Sequence, residues 1–478
     1  MALGNKFKEL FKNTGLLFIG NFSSKVLVFF LVPLYTSVLS TEEYGTYNIL
    51  YTTALVLVPI LTLNVLDGVM RFSLNESVQT QGTVFTVSLK YILISLGIIF
   101  LGTFFASRVL NIAVIKGYEL CFIGLFVSYV VQQLTVQFAR GLDDILGISI
   151  GGIIGTAVMI GLNIYFLLFA KLGLRGYFYA NIGAMLIPTV FLLVRDRMNH
   201  YYVGFRKLCA ARPFEREMLA YCLPLIFTTL SWYINNLADQ YAVTFFCGLE
   251  ANGVYSVAYK IPAILNAVQA IFIQSWQLSA IREYGTEEGN DFIRKVYFAC
   301  QSLMVLMCSG IIFTTKFLAG ILFQKDFFSA WQFVPTLLLH IVFNALSGTV
   351  GVVFSAVKDT RVFAVTAVIG AATNIVLNFA LTYLMGAEGA AIATVISSIV
   401  IWALRMFHAR KYIDLRMNVA RDALLFALLF AQAAVMTLVS GPAAYGIQLV
   451  LVAALAFMCV KNVIPMLKRG KRFDRAAG

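Results

Sequence analysis

The sequence predicts an all-α, polytopic membrane protein with about fourteen transmembrane helices, and three observations lead to that fold class. Hydrophobic residues make up 60% of the 478-residue chain, and charged residues make up only 12%. Soluble domains carry roughly 25% charged residues, so this chain has too few charges to cover a soluble globule. The apolar residues also fall into runs of about 20, the length of a helix that crosses the hydrocarbon core. A soluble enzyme, a nucleic-acid-binding protein and a disordered scaffold are therefore excluded.

Fourteen apolar segments follow one another along the chain, and their lengths favour helices over the shorter alternating strands of a barrel. The segments span residues 14–38, 46–69, 84–105, 119–139, 146–169, 177–194, 219–247, 253–280, 296–315, 332–356, 362–384, 389–407, 422–440 and 446–464. Prolines inside several of them are tolerated, because neighbouring helices in a bundle satisfy the freed backbone groups. No cleavable signal is expected, since the first segment is too long for a signal-peptide core.

The distribution of lysine and arginine predicts the orientation of the chain. If the N-terminus is cytoplasmic, the loops on that side hold 28 of these residues and the opposite loops hold six. Cytoplasmic loops retain Lys and Arg, so both termini are expected in the cytoplasm, and the net charge of +13 reports orientation rather than a nucleic-acid partner. The longest loop, 195–217, is basic and aromatic and is expected to lie along the inner membrane surface.

Four landmarks recur in the same order at near-constant spacing, which indicates an internal repeat. The pairs and their separations are EEYGTY at 42–47 with EANGVY at 250–255 (208), Asp143 with Asp359 (216), Asn163 with Asn378 (215), and GLRGYFYA at 173–180 with GAEGAAIA at 386–393 (213). An even number of helices in each repeat gives two lobes of like orientation, related by a pseudo-two-fold axis along the membrane normal. We therefore predict one six-helix lobe at 1–210 and a second at 211–410, followed at 411–478 by two added helices and a basic cytoplasmic tail.

Polar side chains inside the apolar segments are the candidate substrate-binding residues, because such groups are costly in hydrocarbon unless they serve a function. The candidates are Asn21 and Lys25 in the first segment, Arg71 after the second, Gln137 and Arg140 at the end of the fourth, Asn235, Asn236 and Asp239 in the seventh, and Lys260 in the eighth. Simpler interpretations stay open for some of them. Asp67 and Arg71 are spaced for an intrahelical ion pair, Lys260 and Lys90 could reach the membrane surface, and Arg140 could serve only as a topology anchor.

The balance of charge in the central segments favours an anionic substrate. We expect Lys25 and Lys260 to face one cavity and to hold an anionic group, with Asp239 as their counter-charge when the cavity is empty. A coupling cation, H+ or Na+, would act at Asp239, and no other cofactor is expected. An enzyme is not expected either, because the chain has no Walker lysine motif, no H-E-x-x-H sequence and only three scattered histidines.

Several stretches resemble bacterial polysaccharide flippases, the Wzx-type O-antigen and capsule-unit transporters of the multidrug/oligosaccharidyl-lipid/polysaccharide (MOP) superfamily. The stretches are EEYGTY at 42–47, YCLPLIF at 221–227, LADQYAVTFFCGLEANGVYSVAYKIP at 237–262, QSWQLSAIREY at 274–284 and NIVLNFALTYLMGAEGAAIATV at 374–395. The resemblance implies fourteen helices and two lobes around a cationic cavity. Lys25, Arg71, Asp239 and Lys260 fall on the helices that line this cavity in the family.

The same resemblance implies a function and a location. The expected function is the transfer of undecaprenyl-diphosphate-linked oligosaccharide to the outer leaflet of the bacterial cytoplasmic membrane. Its implied partners are the lipid-linked oligosaccharide, membrane lipids, and the polymerase and chain-length proteins of the same pathway.

Three alternatives remain at the level of sequence. A lipid II flippase would have a closely similar fold. A cation-coupled multidrug exporter would favour an acidic cavity, whereas this chain has two lysines and one deep aspartate in its central segments. A membrane glycosyltransferase or polymerase would place catalytic residues on a large external loop, and no predicted loop exceeds roughly 25 residues.

Overall fold

The computed structural model describes residues 29–205, 211–283, 287–357, 359–415 and 417–476. Within these ranges the regular structure is entirely helical. The described chain divides into two compact units, one of which ends at Leu237 while the other begins at Ala238. The predicted all-α class is therefore confirmed.

The unit that ends at Leu237 is built from helices α1 to α7 and the first half of α8. Their bounds are α1 (Val32–Val38), α2 (Thr41–Leu61), α3 (Val65–Ser73), α4 (Val78–Arg108), α5 (Glu119–Gly141), α6 (Ile145–Ile164), α7 (Gly173–Arg195) and α8 (Arg212–Ala258). A π-helical turn, Tyr165–Phe169, extends α6, and a 3-10 turn, Met198–Tyr201, follows α7. Helix α8 is broken at Gly248, whose φ of 88° and ψ of 177° are not helical.

The unit that begins at Ala238 contains the remainder of α8 and the helices that follow it. Their bounds are α9 (Pro262–Glu283), α10 (Glu287–Leu322), α11 (Val334–Ala356), α12 (Thr360–Met385), α13 (Ala387–Ala409), α14 (Val419–Leu438) and α15 (Pro442–Ala476). Helix α11 is the core of this unit, since 83% of its most apolar window is buried. A core helix that is apolar on all sides needs neighbours on every side, and α10, α13 and α9 supply them.

Within the described residues, 12 helices are long and apolar enough to cross a membrane. The number becomes 13 if Leu237–Ala258 and Pro262–Ile273, which meet at a bend of 50°, form one span. The chain is thus a polytopic membrane protein, as predicted. The first predicted segment, 14–38, lies mostly outside the described residues.

The segment predicted at 46–69 is two helices rather than one, because the backbone turns left-handed between them. Helix α2 begins at a capping box, in which Glu43 N–H donates to Ser40 Oγ at 3.1 Å and Ser40 N–H donates to Glu43 Oε2 at 2.9 Å. It ends at Leu61, and Leu63 and Asn64 then adopt φ values of 52° and 55°. A left-handed pair cannot continue an α-helix, so α3 starts in a new direction.

The repeated glycine pairs have the same local structure in both units. Gly173 and Gly386 take positive φ values of 54° and 67° at the starts of α7 and α13, a conformation that glycine adopts without steric cost. Three residues later, a Cβ on Gly176 would lie 3.0 Å from atoms of the preceding turn, and one on Gly389 would lie 2.0 Å from a backbone oxygen. The first glycine therefore makes the turn, and the second lets successive helices approach closely.

Asp144, and not the Asp143 named as a repeat landmark, opens α6. The Asp144 carboxylate accepts a 3.0 Å hydrogen bond from Gly147 N–H, whereas Asp143 occupies a left-handed turn position with φ of 62°. Asp144 precedes α6 with φ −83° and ψ 66°, and Asp359 precedes α12 with φ −94° and ψ 68°. The separation of this matched pair is 215 residues, the same as that of the repeated asparagines.

Asp144 also joins the start of α6 to the end of α7 through a two-point contact with Arg195. The Arg195 Nε and Nη2 atoms donate to the two carboxylate oxygens of Asp144 at 2.6 and 3.1 Å. This contact lowers the pKa of Asp144 to about 2. Burial, together with the adjacent Asp144, raises the pKa of Asp196 to about 6. Two neighbouring carboxyls therefore hold their protons with very different affinities.

Candidate functional site

The structure describes some of the predicted site residues and not others. Asn21 and Lys25 lie outside the described residues. Asn235 and Asn236 occupy helical positions in α8, and their side chains lie outside the description. Asp239, Lys260, Arg71, Gln137 and Arg140 are described, so the candidate site is built from these and from the residues that contact them.

Asp239 is buried in α8 and is held by two tyrosine hydroxyl groups from the far side of the break at Gly248. Its side chain is 2% exposed. Tyr255 donates to Asp239 Oδ2 at 3.0 Å, and Tyr259 donates a short hydrogen bond to the same oxygen. Carboxylates buried away from water need such donors, because an unpaired buried charge is strongly unfavourable. We call these three residues the Asp239 cluster.

The expected ion pair between Asp239 and Lys260 is not formed in the described structure. Lys260 is half-buried in the turn between α8 and α9, where its backbone N–H donates to Val257 O at 2.9 Å. The hydrogen-bonding partners of the Asp239 carboxylate are Tyr255, Tyr259 and the Gln240 N–H. The expectation that Lys260 neutralises Asp239 is therefore wrong, because phenol hydroxyls on the next helical segment satisfy the carboxylate.

Asp67 and Arg71 do not form the intrahelical pair that their spacing allows. Asn64 Nδ2 donates to Asp67 Oδ2 at 2.9 Å, and Thr229 Oγ1 on α8 donates to the same oxygen at 3.5 Å. The Asp67 carboxylate is thus used to join the start of α3 to α8. Arg71, one turn later, is exposed and has no acidic partner among the described residues.

Arg71 and Arg140 lie at the same end of two contacting helices. Gly141, the last residue of α5, lies so close to Ser73, the last residue of α3, that a Cβ on Gly141 would be 2.5 Å from Ser73 Cβ. Arg140 is exposed, and its Nη1 donates a long, 3.4 Å hydrogen bond to the neutral Gln137 amide oxygen. The two guanidinium groups, which we call the Arg71/Arg140 pair, therefore form a positive helix end without a carboxylate partner in the described chain. Guanidinium groups bind phosphate oxygens through paired hydrogen bonds.

Lys90, which could have reached the membrane surface, instead forms a tertiary ion pair. Its Nζ lies 2.7 Å from Glu215 Oε1, and the Tyr91 hydroxyl donates to the same oxygen at 2.6 Å. The pair fixes the first turn of α8 to α4. This lysine is thereby used in packing and is not free to bind an anion.

Sequence reasoning missed Tyr255 and Tyr259 as site residues, although a signal for them was present. The repeat that places EANGVY over EEYGTY also places Tyr255 over Tyr47 and Tyr259 over Tyr51, at the same separation of 208. Tyr47 packs against Tyr177 with ring centroids 4.5 Å apart. Among the described residues, an aspartate hydrogen-bonds to these tyrosines in the second copy alone, so extending the repeat along the helix would have identified the tyrosines but not their pairing with Asp239.

The described chain is thus a polytopic helical membrane protein with a buried carboxylate, Asp239, and an exposed cationic helix end at Arg71 and Arg140. The family model described as "Polysaccharide biosynthesis protein" matches residues 10–277, more than half of the chain. The chain therefore belongs to the polysaccharide biosynthesis protein family. No curated protein matches this sequence significantly.

Solved structures of other membrane proteins show a similar fold. "Lipid II flippase MurJ, inward closed conformation" has a TM-score of 0.70 at 15% identity, over 95% of this chain and 99% of that one. An inward-facing multidrug resistance MATE family transporter has a TM-score of 0.66 at 14% identity, over 81% and 94%. A MOP superfamily transporter from Pyrococcus furiosus, described as having a binding pocket of reverse polarity, has a TM-score of 0.56 at 13% identity, over 86% and 97%. The chain thus has the MOP fold.

Proposed function

We propose that the chain moves undecaprenyl-diphosphate-linked oligosaccharide from the inner to the outer leaflet of the bacterial cytoplasmic membrane by alternating access. Membership in the polysaccharide biosynthesis protein family supports the pathway. The fold shared with a protein named as a lipid II flippase supports the type of movement, since that protein's substrate is also a lipid. An outer-leaflet polymerase and its chain-length partner would consume the product.

The exposure of the Arg71/Arg140 pair is the main observation that supports an anionic substrate. A diphosphate that leaves water must exchange its hydration for fixed positive charge and hydrogen-bond donors. Arg71 and Arg140 are exposed and have no carboxylate partner in the described chain, so both retain donors for an incoming phosphate. The deeply buried acid, Asp239, is satisfied by tyrosines. An exporter of organic cations would need the opposite arrangement, with exposed acids.

The transport cycle we propose uses two lobes, 1–210 and 211–410, that open in turn to each side of the membrane. The Arg71/Arg140 pair would receive the diphosphate first, and Lys25 and Lys260 would hold it deeper in the membrane. The amides of Asn21, Gln137, Asn235 and Asn236 would hydrogen-bond sugar hydroxyls. The polyprenyl chain would remain in the bilayer. Reorientation requires that the substrate bind the two states with different affinities.

Asp239 would couple this cycle to a cation gradient. Both tyrosine hydroxyls donate to the same carboxylate oxygen of Asp239. A proton or Na+ that binds to this oxygen would occupy its lone pairs and therefore compete with Tyr255 and Tyr259. Because these tyrosines lie beyond the break at Gly248, releasing them would loosen one segment of α8 from the other. The break is the natural place for such a movement, since glycine tolerates its extended backbone with positive φ.

Lipid II flipping is the second candidate, and the coverage of nearly the whole chain by the MurJ fold favours it. Both substrates carry a diphosphate, so the Arg71/Arg140 pair does not separate them. The family match favours the polysaccharide precursor. Complementation separates the two: the chain should restore surface polysaccharide to a strain that lacks its own flippase and should fail to sustain growth when lipid II flipping is blocked.

Accumulation of the precursor on the wrong leaflet is the direct cellular test. In a strain deleted for this chain, lipid-linked oligosaccharide should accumulate on the cytoplasmic leaflet and surface polysaccharide should disappear. Lys25→Ala should reproduce the deletion at an unchanged protein level, and Lys25→Arg should restore part of the export. Arg108→Gln is the control, because it removes an exposed cation at the C-terminal end of α4 that has no proposed role in substrate binding. This variant should export normally. Normal surface polysaccharide in the deletion strain would overturn the proposal.

The proposed orientation, with both termini in the cytoplasm, has its own test. Single cysteines at positions 4, 208 and 474, introduced into a cysteine-free background, should react only with a reagent that permeates the membrane. Reaction of any of the three with an impermeant reagent in intact cells would contradict the orientation.

A further inference from the structure

Residues 196–205, the described part of the connection between α7 and α8, pack against their own unit along one side. Met198 is fully buried, and the ring of Tyr201 packs on Phe138 with centroids 5.1 Å apart. Val203 N–H donates to Thr86 Oγ1 on α4 at 3.1 Å. These contacts fix which side of the segment faces outward.

The outward side presents aromatic rings next to a positive charge. Tyr202 and Phe205 are 44% and 39% exposed, and their rings meet edge to face with centroids 5.5 Å apart. Arg197, also exposed, precedes the 3-10 turn. Exposed aromatic residues close to the ends of transmembrane helices are typical of the interface between headgroups and acyl chains.

The first turns of α8 add two arginines on the face that points away from the packed core. Gly68 of α3 contacts Met218 and Cys222, which identifies the packed face of α8. Arg212 and Arg216 are exposed and line a surface cavity of about 530 Å³ together with Pro213, Glu217 and Ala220. Neither arginine forms an ion pair within the part of the chain that the structure describes. The cavity therefore has one carboxylate and two guanidinium groups.

We propose that Arg197, Tyr202, Phe205, Arg212 and Arg216 form a binding surface for anionic phospholipid headgroups. Arg212 and Arg216 would hold the phosphodiester in the cavity, and the rings of Tyr202 and Phe205 would insert at the headgroup boundary. Guanidinium groups match phosphate oxygens, and basic clusters beside transmembrane helices are attracted to anionic lipid surfaces. We call this set the lipid-binding surface.

A lipid explains this combination better than a soluble anion does. The described residues 196–205 directly follow the candidate span Gly173–Arg195, and Arg212 and Arg216 begin the candidate span Arg212–Ile234, so the proposal places these residues at the depth of the headgroups. A soluble phosphate would be served by the arginines alone and would leave the exposed ring pair without a role. The inference goes beyond the proposed function, because it concerns bulk membrane lipid and holds for any transported substrate.

The test compares the intact protein in phosphatidylglycerol and in phosphatidylcholine. Phosphatidylglycerol should raise the apparent melting temperature of the detergent-solubilised protein, and native mass spectrometry should detect bound phosphatidylglycerol. The Arg212→Gln/Arg216→Gln variant should bind phosphatidylglycerol about tenfold more weakly and keep its melting temperature in phosphatidylcholine. Tyr202→Ser/Phe205→Ser should weaken binding to both lipids, whereas Arg212→Lys/Arg216→Lys should retain most of the effect.

The matched control is Arg108→Gln/Lys116→Gln, which removes two exposed cations near the other end of α4 and should leave the phosphatidylglycerol effect intact. A measurement on the wild-type protein does not depend on any variant folding: raising the ionic strength should reduce the phosphatidylglycerol effect, since salt screens exposed charges. The proposal is overturned if the effect is insensitive to salt, if the control loses it as fully as the arginine variant, or if inorganic phosphate binds as tightly as the lipid.

Discussion

The Tyr255 hydroxyl donates a 3.0 Å hydrogen bond to Asp239 Oδ2, and the two residues lie on opposite sides of the break in α8 at Gly248. Tyr255 is completely buried and packs on Phe333, with ring centroids 5.5 Å apart, so it has little freedom to follow the carboxylate elsewhere. The hydrogen bond therefore holds a bent helix in one geometry and satisfies a buried acid at the same time.

Tyr255→Phe should lower the stability of the protein by about 1–3 kcal/mol, because it removes a donor from a buried carboxylate without changing the shape of the side chain. The apparent melting temperature in detergent, followed by size-exclusion chromatography, measures the effect. Tyr221→Phe is the control, since Tyr221 is 43% exposed and contacts Phe72 through its ring. Equal melting temperatures for the Tyr255→Phe and Tyr221→Phe variants would show that the hydrogen bond to Asp239 contributes nothing.

Arg71→Gln and Arg140→Gln should each weaken binding of an undecaprenyl-diphosphate analogue, because each removes a charge-assisted hydrogen bond to phosphate. Such bonds contribute about 1.5–3 kcal/mol, so the dissociation constant should rise roughly tenfold to a hundredfold for each change. Lysine at either position should restore part of the affinity as a point charge. Titration of purified protein with a fluorescent analogue measures this. Unchanged affinity in the double variant would remove the Arg71/Arg140 pair from the site.

Asp196→Asn should stabilise the protein at neutral pH and have no effect in acid. Burial raises the pKa of Asp196 to about 6, so the folded state binds this proton more tightly than the unfolded chain does. The resulting stabilisation is complete below the unfolded pKa of about 4 and is lost as the pH rises through about 6. At about pH 8 the variant should have the higher melting temperature, and its free energy of unfolding should exceed that of the wild type by on the order of 1 kcal/mol. Near pH 4 the melting temperatures of the two proteins should converge.

Asp144→Asn is the control of opposite sign for this pH experiment. Arg195 lowers the pKa of Asp144 to about 2, so its contribution is present above the unfolded pKa of about 4 and is lost only as the pH falls toward 2. This variant should be less stable than the wild type at neutral pH. If both variants shifted in the same direction at about pH 8, the assignment of the two carboxyls would be wrong.

Two glycines of α6 should respond in opposite ways to alanine. A Cβ on Gly147 would lie 1.9 Å from Asp144 Oδ2 and 2.7 Å from Arg195 Nε, whereas a Cβ on Gly152 would meet nothing within 4 Å. Gly147→Ala must displace the contact between Asp144 and Arg195 and should destabilise the protein. Gly152→Ala should stabilise it by about 0.4–1 kcal/mol, because alanine restricts the unfolded chain. Thermal unfolding of the two variants side by side checks the pair, and a lower melting temperature for Gly152→Ala would contradict the account.

The fold was largely predictable because hydrocarbon imposes strong constraints on a sequence. Apolar runs of spanning length identified the helices, and the recurring glycine pairs marked where one helix turns into the next. The positions at which helices break were harder to predict from the sequence. Asn64 is a residue type that tolerates left-handed backbone, but Leu63 is not, and the surrounding apolar run gave no other sign of a turn.

The side-chain partners of the site were the least predictable feature, because they depend on tertiary contact. Glu215 reaches Lys90 across 125 residues, and local spacing gave no indication of it. The spacing of Asp67 and Arg71 predicted an ion pair, but the Asp67 carboxylate instead accepts from Asn64 at 2.9 Å and from Thr229, on another helix, at 3.5 Å. Asp239 is buried, as its position in an apolar segment suggested, but charge balance predicted lysine partners and gave no sign of the two tyrosines that bind it.

Movement of a fluorescent undecaprenyl-diphosphate-linked oligosaccharide across reconstituted vesicles tests the central claim most directly. Label on the inner leaflet of vesicles that contain the wild-type protein should become accessible to an external quencher far faster than in protein-free vesicles. The Arg71→Gln/Arg140→Gln variant should behave like the protein-free vesicles, and Arg108→Gln should behave like the wild type. A wild-type rate equal to that of protein-free vesicles, or an unimpaired rate in the double variant, would contradict the account.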